Sequence, residues 1–298
     1  MKTKSLLKSK AAYLLLLAGI AMASCKKNNQ SDVTAAASHE KLTKAEIDGI
    51  AKAGFSPTDA FKINGGYLVE GDVFLTPKDI AYQQGIVAEA FNKGPKNEQY
   101  RTTNVVTGLP RVLKIKVVAG ASQNVFDNAT IEAIKRYNDL GLKLSLRLLS
   151  STSTEKEDIL IEGADLGKTP SGQTILGQSA GFPTNGNPAS PIKLSNVVYG
   201  PNYASNNLLA TVVAHEIGHA IGFRHTDYAD RRYSCGIQSF MDYFMAANEG
   251  QAGVGAIHIP GTPVGADPES WMLACMGANN RPFTANDKIA IKALYPVN

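Results

Sequence analysis

Three of the chain's five histidines fall within eleven residues, His215 to His225, in the run HEIGHAIGFRH. No other feature restricts the fold as much. The preceding NNLLATVVA places Asn206 or Asn207 as a cap ahead of an apolar face of Leu209, Val213 and Ile217. That spacing predicts a buried helix over 207–221. On it, His215 and His219 stand one turn apart on the same face, where two ring nitrogens can meet one cation. Glu216 is one step round, beside the cation rather than on it, and suits the role of general base. A helix continuing past Gly222 would carry His225 away from the other two. A glycine can instead turn left-handed, end the helix and bring His225 back as a third nitrogen. Three nitrogens with one open position are the donor set of a single catalytic zinc ion, because structural zinc is closed by four protein ligands. Such an ion would lower the pKa of a bound water to roughly 7 and polarise a carbonyl.

The rest of the chain reads as α+β. Hydrophobic residues make up 44% and charged residues 19% of the 298, a balance that fits a globular protein with a substantial core. LTKAEIDGIAKAG predicts a short helix ending at Gly54, and GGYLVEGDVFLT two strands around a turn at Glu70-Gly71-Asp72. TPKDIAYQQGIVAEAF predicts a helix opened by Thr76-Pro77, and NKGPKNEQYR a boundary open to proteolysis. Beyond it, VLKIKVV, LKLSLRLL and DILIEGA read as strands and ATIEAIKRYNDL as a helix, which together imply a twisted sheet layered with helices. Thr284 with Asp287 three residues on reads as the cap of a last helix, a structural role.

The start of the chain is an address. A basic stretch leads into thirteen mostly apolar residues, Ala11 to Ala23, too few to span a bilayer as a helix but laid out as an export signal. Met22-Ala23-Ser24-Cys25 resembles the lipobox of bacterial lipoproteins, which implies lipid on Cys25 and an outer-membrane anchor facing the periplasm or cell surface. The plain alternative is a secretory signal cut near Ser24. The domain reading is a signal peptide over 1–24, a polar tether over 25–41, a pro-segment or N-terminal subdomain over 42–97, and a catalytic domain over 98–298. Removing Cys25 leaves Cys235 and Cys275, an even pair expected to form one disulfide in an oxidising compartment. The net charge of +4 rests on lysines at 2, 4, 8, 10, 26 and 27, so nothing points to nucleic acid. A monomer is expected. No EF-hand loop is present, and calcium stays open.

HExxHxxGxxH is the pattern of metzincin metallopeptidases. HEIGHAIGFRHTD resembles more closely the dual-action HEIGH metallopeptidases, and NGGYLVEGDVFLT, SAGFPTNG, GVGAIHIPGTP and SWMLAC resemble them too, so the likeness covers about residues 60–298. ANDKIAIKALYP is similar to the C-terminal helix of matrixins. The resemblance implies a metzincin-like fold, with a long active-site helix and a methionine in a turn under the metal. Met272, in Ser270-Trp271-Met272, is favoured for that turn; Met241, in the astacin-like Ser239-Phe240-Met241-Asp242-Tyr243, is the alternative. Leu68-Val69-Glu70-Gly71-Asp72-Val73 resembles the F-x-G-D motif of astacin pro-segments, with Val69 in place of Phe, which implies a zymogen with Asp72 as a latency ligand, activated by a cut between about Gly94 and Arg101. The competing expectation is an ordinary hairpin turn. Ser179, Ala180 and Gly181 would present backbone groups to an extended substrate, or form a plain loop. Asp227 would bond a ligand histidine or cap a turn, and His258 would pack within a loop.

These features point to a zinc-dependent endopeptidase acting on peptide or protein. The alternative is a surface lipoprotein that uses the zinc site for binding or adhesion without hydrolysis. A remoter third is a zinc hydrolase of a non-peptide amide, since such a helix sets the reaction type better than the substrate.

Overall fold

The computed structural model describes residues 39–63, 65–90, 99–204, 207–236, 256–262 and 267–298, with the side chains of 85–90 left aside. Residues 39–298 form one compact unit. Cys25 and Met241 lie outside the described residues, as does the stretch 91–98 that holds most of the expected cleavage region.

The N-terminal part runs α1 (Lys44–Lys52), β1 (Phe61–Ile63), β2 (Gly66–Val69), β3 (Val73–Leu75) and α2 (Pro77–Ala90). Thr43 and Glu46 close a capping box that starts α1, and Thr76 and Asp79 exchange equivalent bonds at the start of α2. Strands β2 and β3 pair antiparallel, Val69 opposite Val73, so Glu70-Gly71-Asp72 forms the turn that the sequence suggests.

Next come β4 (Tyr100–Arg101), β5 (Arg111–Val118), α3 (Gln123–Asn138), β6 (Leu144–Leu148), β7 (Ile159–Ala164), β8 (Gly177–Ser179) and β9 (Ile192–Ser195). Eight strands make one mixed sheet in the order β1-β2-β3-β8-β9-β7-β5-β6. The β6-β5-β7-β9 portion is parallel, β8 runs antiparallel to β9, and β3 joins β8 in parallel through Val73 and Ser179. The alternation read in VLKIKVV appears in burial: Leu113, Ile115 and Val117 are in the core, while Val112 and Val118 are exposed.

The covered face packs on α3 and on α4 (Leu208–Ile221), in one core that joins Ile115, Phe126, Ile161, Val213, Ile217 and Trp271. After α4 come β10 (Phe223–Arg224), α5 (Arg232–Cys235), β11 (Ile257–His258) and α6 (Ala285–Leu294). Here β10 and β11 flank β4 in a second, three-stranded sheet.

Two local expectations need correction. Asn207 does sit at the N-cap of α4, but its backbone is left-handed at φ 62°, and its carbonyl, not a side-chain cap, serves the helix by accepting from Thr211. The end of NKGPKNEQYR is not open to proteolysis as the rest of that stretch was expected to be: Gln99 and Tyr100 are buried, and Tyr100–Arg101 are strand β4.

Candidate metal centre

Helix α4 carries His215, Glu216 and His219, all buried. Gly222 closes it at φ 117°, and its amide bonds back to Gly218 and His219. A side chain there would meet the Asn104 carbonyl at 2.8 Å, so both backbone shape and space call for glycine. The chain then turns through β10 and returns His225 to the other two histidines. The Nε2 atoms of His219 and His225 lie 3.2 Å apart. Asp72, at the tip of the β2–β3 turn, brings its carboxylate into the same point: Oδ2 is 3.2 Å from His215 Nε2 and 3.1 Å from His225 Nε2, and Oδ1 is 3.7 Å from His219 Nε2. One donor atom from each of the four residues falls within 4.8 Å of the others.

Two rings are oriented from behind. His215 Nδ1 lies 2.7 Å from the Trp271 carbonyl, and His219 Nδ1 2.8 Å from the Phe223 carbonyl. Carbonyls only accept, so both Nδ1 atoms carry the proton and both Nε2 atoms turn bare lone pairs toward the centre. Lone pairs and carboxylate oxygens thus face each other at close range, and Asp72 Oδ1 has no hydrogen-bond partner among the described residues. Such a set of acceptors needs a cation, and three imidazoles with a carboxylate fit a divalent transition metal. Without one, the directions of ionisation show the same demand. Burial pushes the His219 imidazole down to about 4. Burial would raise the Asp72 carboxyl, but the charge of His225 and the close approach of the other two imidazoles hold it well below the usual carboxylate range. Burial, then the Asp72 charge, raise Glu216.

Glu216 packs against β8, where a Cβ on Gly177 would fall 2.3 Å from its Oε1. Its Oε2 has no hydrogen-bond partner among the described residues. Next to it opens a cavity of about 290 Å3 lined by Ile175, Leu176, Val212, Arg231 and Met276 among others.

Met272 is fully buried under α4, its Sδ only 2.6 Å from where a Cβ on Gly218 would be. Its carbonyl accepts from Thr226, next to His225. The loop bearing it is tied twice: Cys235 and Cys275 are bonded, and Asp287 accepts from Ser270 Oγ, Trp271 N and Gln99 Nε2. Asp287 therefore does more than the helix cap expected of it. Asp227 accepts from Ala274 N and Ser234 Oγ, which fastens the same loop. His258 sits in β11 and pairs with Thr262.

Ser179 does not offer a free strand edge in this chain. Its amide donates to the Asp72 carbonyl at 2.9 Å, so β3 occupies the edge at which a substrate strand was expected, while Ala180 N donates to Pro191. Sequence inspection also missed Trp271 and Phe223, whose contribution is a backbone carbonyl, and Gly177, whose contribution is an absent side chain.

A metal-binding helix, its glycine turn, the returning histidine and the buried glutamate make this a metallopeptidase site. Over residues 76–295 the sequence matches the family model described as dual-action HEIGH metallo-peptidase, and the chain belongs to that family. The match begins four residues after Asp72, inside the wider span expected from the motifs. Two solved structures of myroilysin align at 13% identity each. One covers 67% of this chain and 99% of that chain at a TM-score of 0.41, the other 76% and 98% at 0.39. No curated protein matches.

Proposed function

We propose that the chain is a zinc-dependent endopeptidase held latent by its own N-terminal segment. The observation that carries this is the Asp72 carboxylate seated among the three histidine Nε2 atoms while β3 fills the β8 edge. His215, His219 and His225 would hold the ion, which when bound supplies Lewis acidity toward water and the scissile carbonyl. In the latent chain Asp72 takes the position that a reacting group needs. Once the segment leaves, β8 regains a free edge for extended peptide, and peptide side chains can enter the cavity beside Val212 and Met276. Glu216 accepts the proton of the attacking water and returns it to the leaving amine. Its buried carboxylate, with Oε2 free of any hydrogen-bond partner among the described residues, is placed to carry that proton. Met272 and Trp271 act from below, the first by packing and the second by orienting His215.

Activation would need a cut between α2 and β4. Because Gln99–Arg101 are built into the fold, the cut falls before Gln99, within 91–98, rather than anywhere up to Arg101. The lipobox supports an exported chain anchored through Cys25; fatty-acid labelling lost in Cys25→Ser tests it.

The test of the enzyme uses the full, zinc-loaded chain carrying a protease recognition site within 91–98. Nicked protein should degrade a denatured substrate, lose that activity with a chelator, and lose it in Glu216→Gln. Uncut protein should be much slower. A folded, metal-loaded, nicked chain that cuts nothing overturns the proposal in favour of a binding protein.

A further inference from the structure

Phe182 stands three residues past the end of β8 and is only 5% exposed. It belongs to a buried apolar cluster whose other buried members, among them Ile50, Phe55, Val73 and Leu75, all fall between residues 50 and 80. Its ring stacks on Phe55, with centroids 5.7 Å apart and planes 15° from parallel. It also meets the His219 imidazole edge-on, at 5.6 Å between centroids and 83° between planes. Phe182 is thus where the apolar core of the N-terminal segment reaches a metal-binding ring. Arg224, one residue before His225, adds a polar tie to the same segment, donating to the Gly54 carbonyl at 2.8 Å and to the Glu70 carboxylate.

The segment lies along β8 much as a bound strand would. Val73 pairs with Ser179, and beyond it a Cβ on Gly181 would fall 3.2 Å from the Phe74 carbonyl and 3.4 Å from Leu75 Cδ2. At one end of this stretch Gly177 touches Glu216 and lines the cavity; at the other Phe182 touches His219. The chain from Gly177 to Phe182 therefore crosses the centre, with the cavity on one side and the Phe182 ring on the other. Departure of the segment removes every partner that its apolar cluster gives Phe182, and leaves the ring beside His219 facing the cleft. An aromatic ring bared in this way gains by being covered again, and what can cover it is an apolar side chain on the strand that takes the place of β3.

Resting on the latent-peptidase reading, we infer that Phe182 is a specificity-determining residue of the released enzyme. It forms the wall of a second apolar subsite, across the histidines from the cavity, that takes an aromatic or large aliphatic side chain of the substrate. Phe55 and Leu75 fill that subsite in the uncut chain. Phe182 is three residues from Ser179, a reach of roughly 10 Å in extended chain, so the side chain it receives lies within about three residues of the cut bond.

The experiment compares end-blocked peptides that differ only by Phe or Ala at each of the three positions on either side of the bond. The enzyme is the zinc-loaded full chain nicked within 91–98, with both pieces carried into the assay. At one position the nicked wild type should show a Phe-over-Ala ratio in kcat/KM of roughly tenfold or more, the scale of covering one aromatic side chain. In Phe182→Ala that ratio should fall to about two or less, and in Phe182→Leu to an intermediate value. Any preference that the cavity imposes, on the other side of the bond, should survive both changes and serves as the internal control. If Phe182→Ala does not fold, Phe182→Leu decides. Ratios that stay as in the wild type at every position in the Phe182 variants overturn the inference while leaving the peptidase intact. A Phe182→Ala chain that slows on all peptides by one common factor does so too, because the ring would then only steady His219. A nicked chain that cuts no peptide overturns this inference together with the reading beneath it.

Discussion

Gly177→Ala is the sharpest perturbation that the geometry offers. The added methyl would lie 2.3 Å from Glu216 Oε1 and 2.9 Å from its Cδ and Cγ, about 1 Å inside ordinary contact. Glu216 is 2% exposed, so its carboxylate cannot simply swing into solvent. Overpacking of this kind costs roughly 1–3 kcal/mol. The clashing atoms all belong to one side chain, which makes the effect separable. In a Glu216→Ala background Oε1, Cδ and Cγ are gone, and Gly177→Ala should then stabilise by about 0.4–1 kcal/mol, because alanine has fewer unfolded conformations to lose. The substitution therefore changes sign between backgrounds, with a coupling of about 1.5–4 kcal/mol. Urea unfolding of the four full-length chains, metal-free in chelator, measures it. In the nicked, zinc-loaded chain the same substitution should lower kcat about a hundredfold, by displacing the general base. Equal destabilisation by Gly177→Ala in both backgrounds would refute the contact and, with it, the placement of Glu216 against β8.

Other perturbations test the remaining parts. Asp72→Ala in the uncut chain should raise peptidase activity several-fold, whereas Asp72→Glu should stay close to latent; unchanged latency in Asp72→Ala would end the idea of a carboxylate stopper. Gly222→Ala combines a φ of 117° with a 2.8 Å approach to the Asn104 carbonyl and should cost about 2–5 kcal/mol while weakening metal uptake, read by denaturation and by competition with a chromogenic chelator. Replacing Cys235 and Cys275 with serine should lower stability by about 2–4 kcal/mol, given their separation of 40 residues, measured by urea unfolding under non-reducing conditions. In the metal-free chain His219 titrates at about 4 against 6.5 when unfolded, so the unfolded state takes the proton first. The stability tied to its neutral form is complete above pH 6.5 and should drain away as the pH falls toward 4. His219→Gln should flatten that slope in urea midpoints, and an identical slope would count against it.

Much of the centre was legible because each requirement is local. The four-residue step from His215 to His219, the glycine at 222 and the three further residues to His225 are set by helix geometry alone. The β2–β3 turn and the two capping boxes are equally short-range, and they appear where turn and cap residues stand. What escaped depends on distant neighbours. Nothing in the composition of Arg224 announces a partner at Glu70, since an arginine beside a histidine reads as a solvated charge until the fold covers it. Gly177 carries no signal of its own in the sequence, because its meaning is the space left for Glu216. Two-residue strands such as β4 and β10 carry no periodicity, so QYR is not told apart from the polar boundary before it. The role of Asp287 was half visible: the cap follows from Thr284 three residues earlier, but its bonds to Ser270, Trp271 and Gln99 do not.

Those bonds also set an order of events. His215 takes its orientation from the Trp271 carbonyl, the Trp271 loop is pinned by Asp287 in the last helix, and Asp287 in turn holds Gln99 from the start of β4. Loops closing over such separations are late steps in folding, since contacts distant in sequence are reached only after the intervening chain is fixed. A chain still missing its final helix would have all three histidines in hand and no frame to aim them. Metal binding by the three histidines would thereby depend on α6, and a chain cut before Ala285 should hold the ion less well than the whole one.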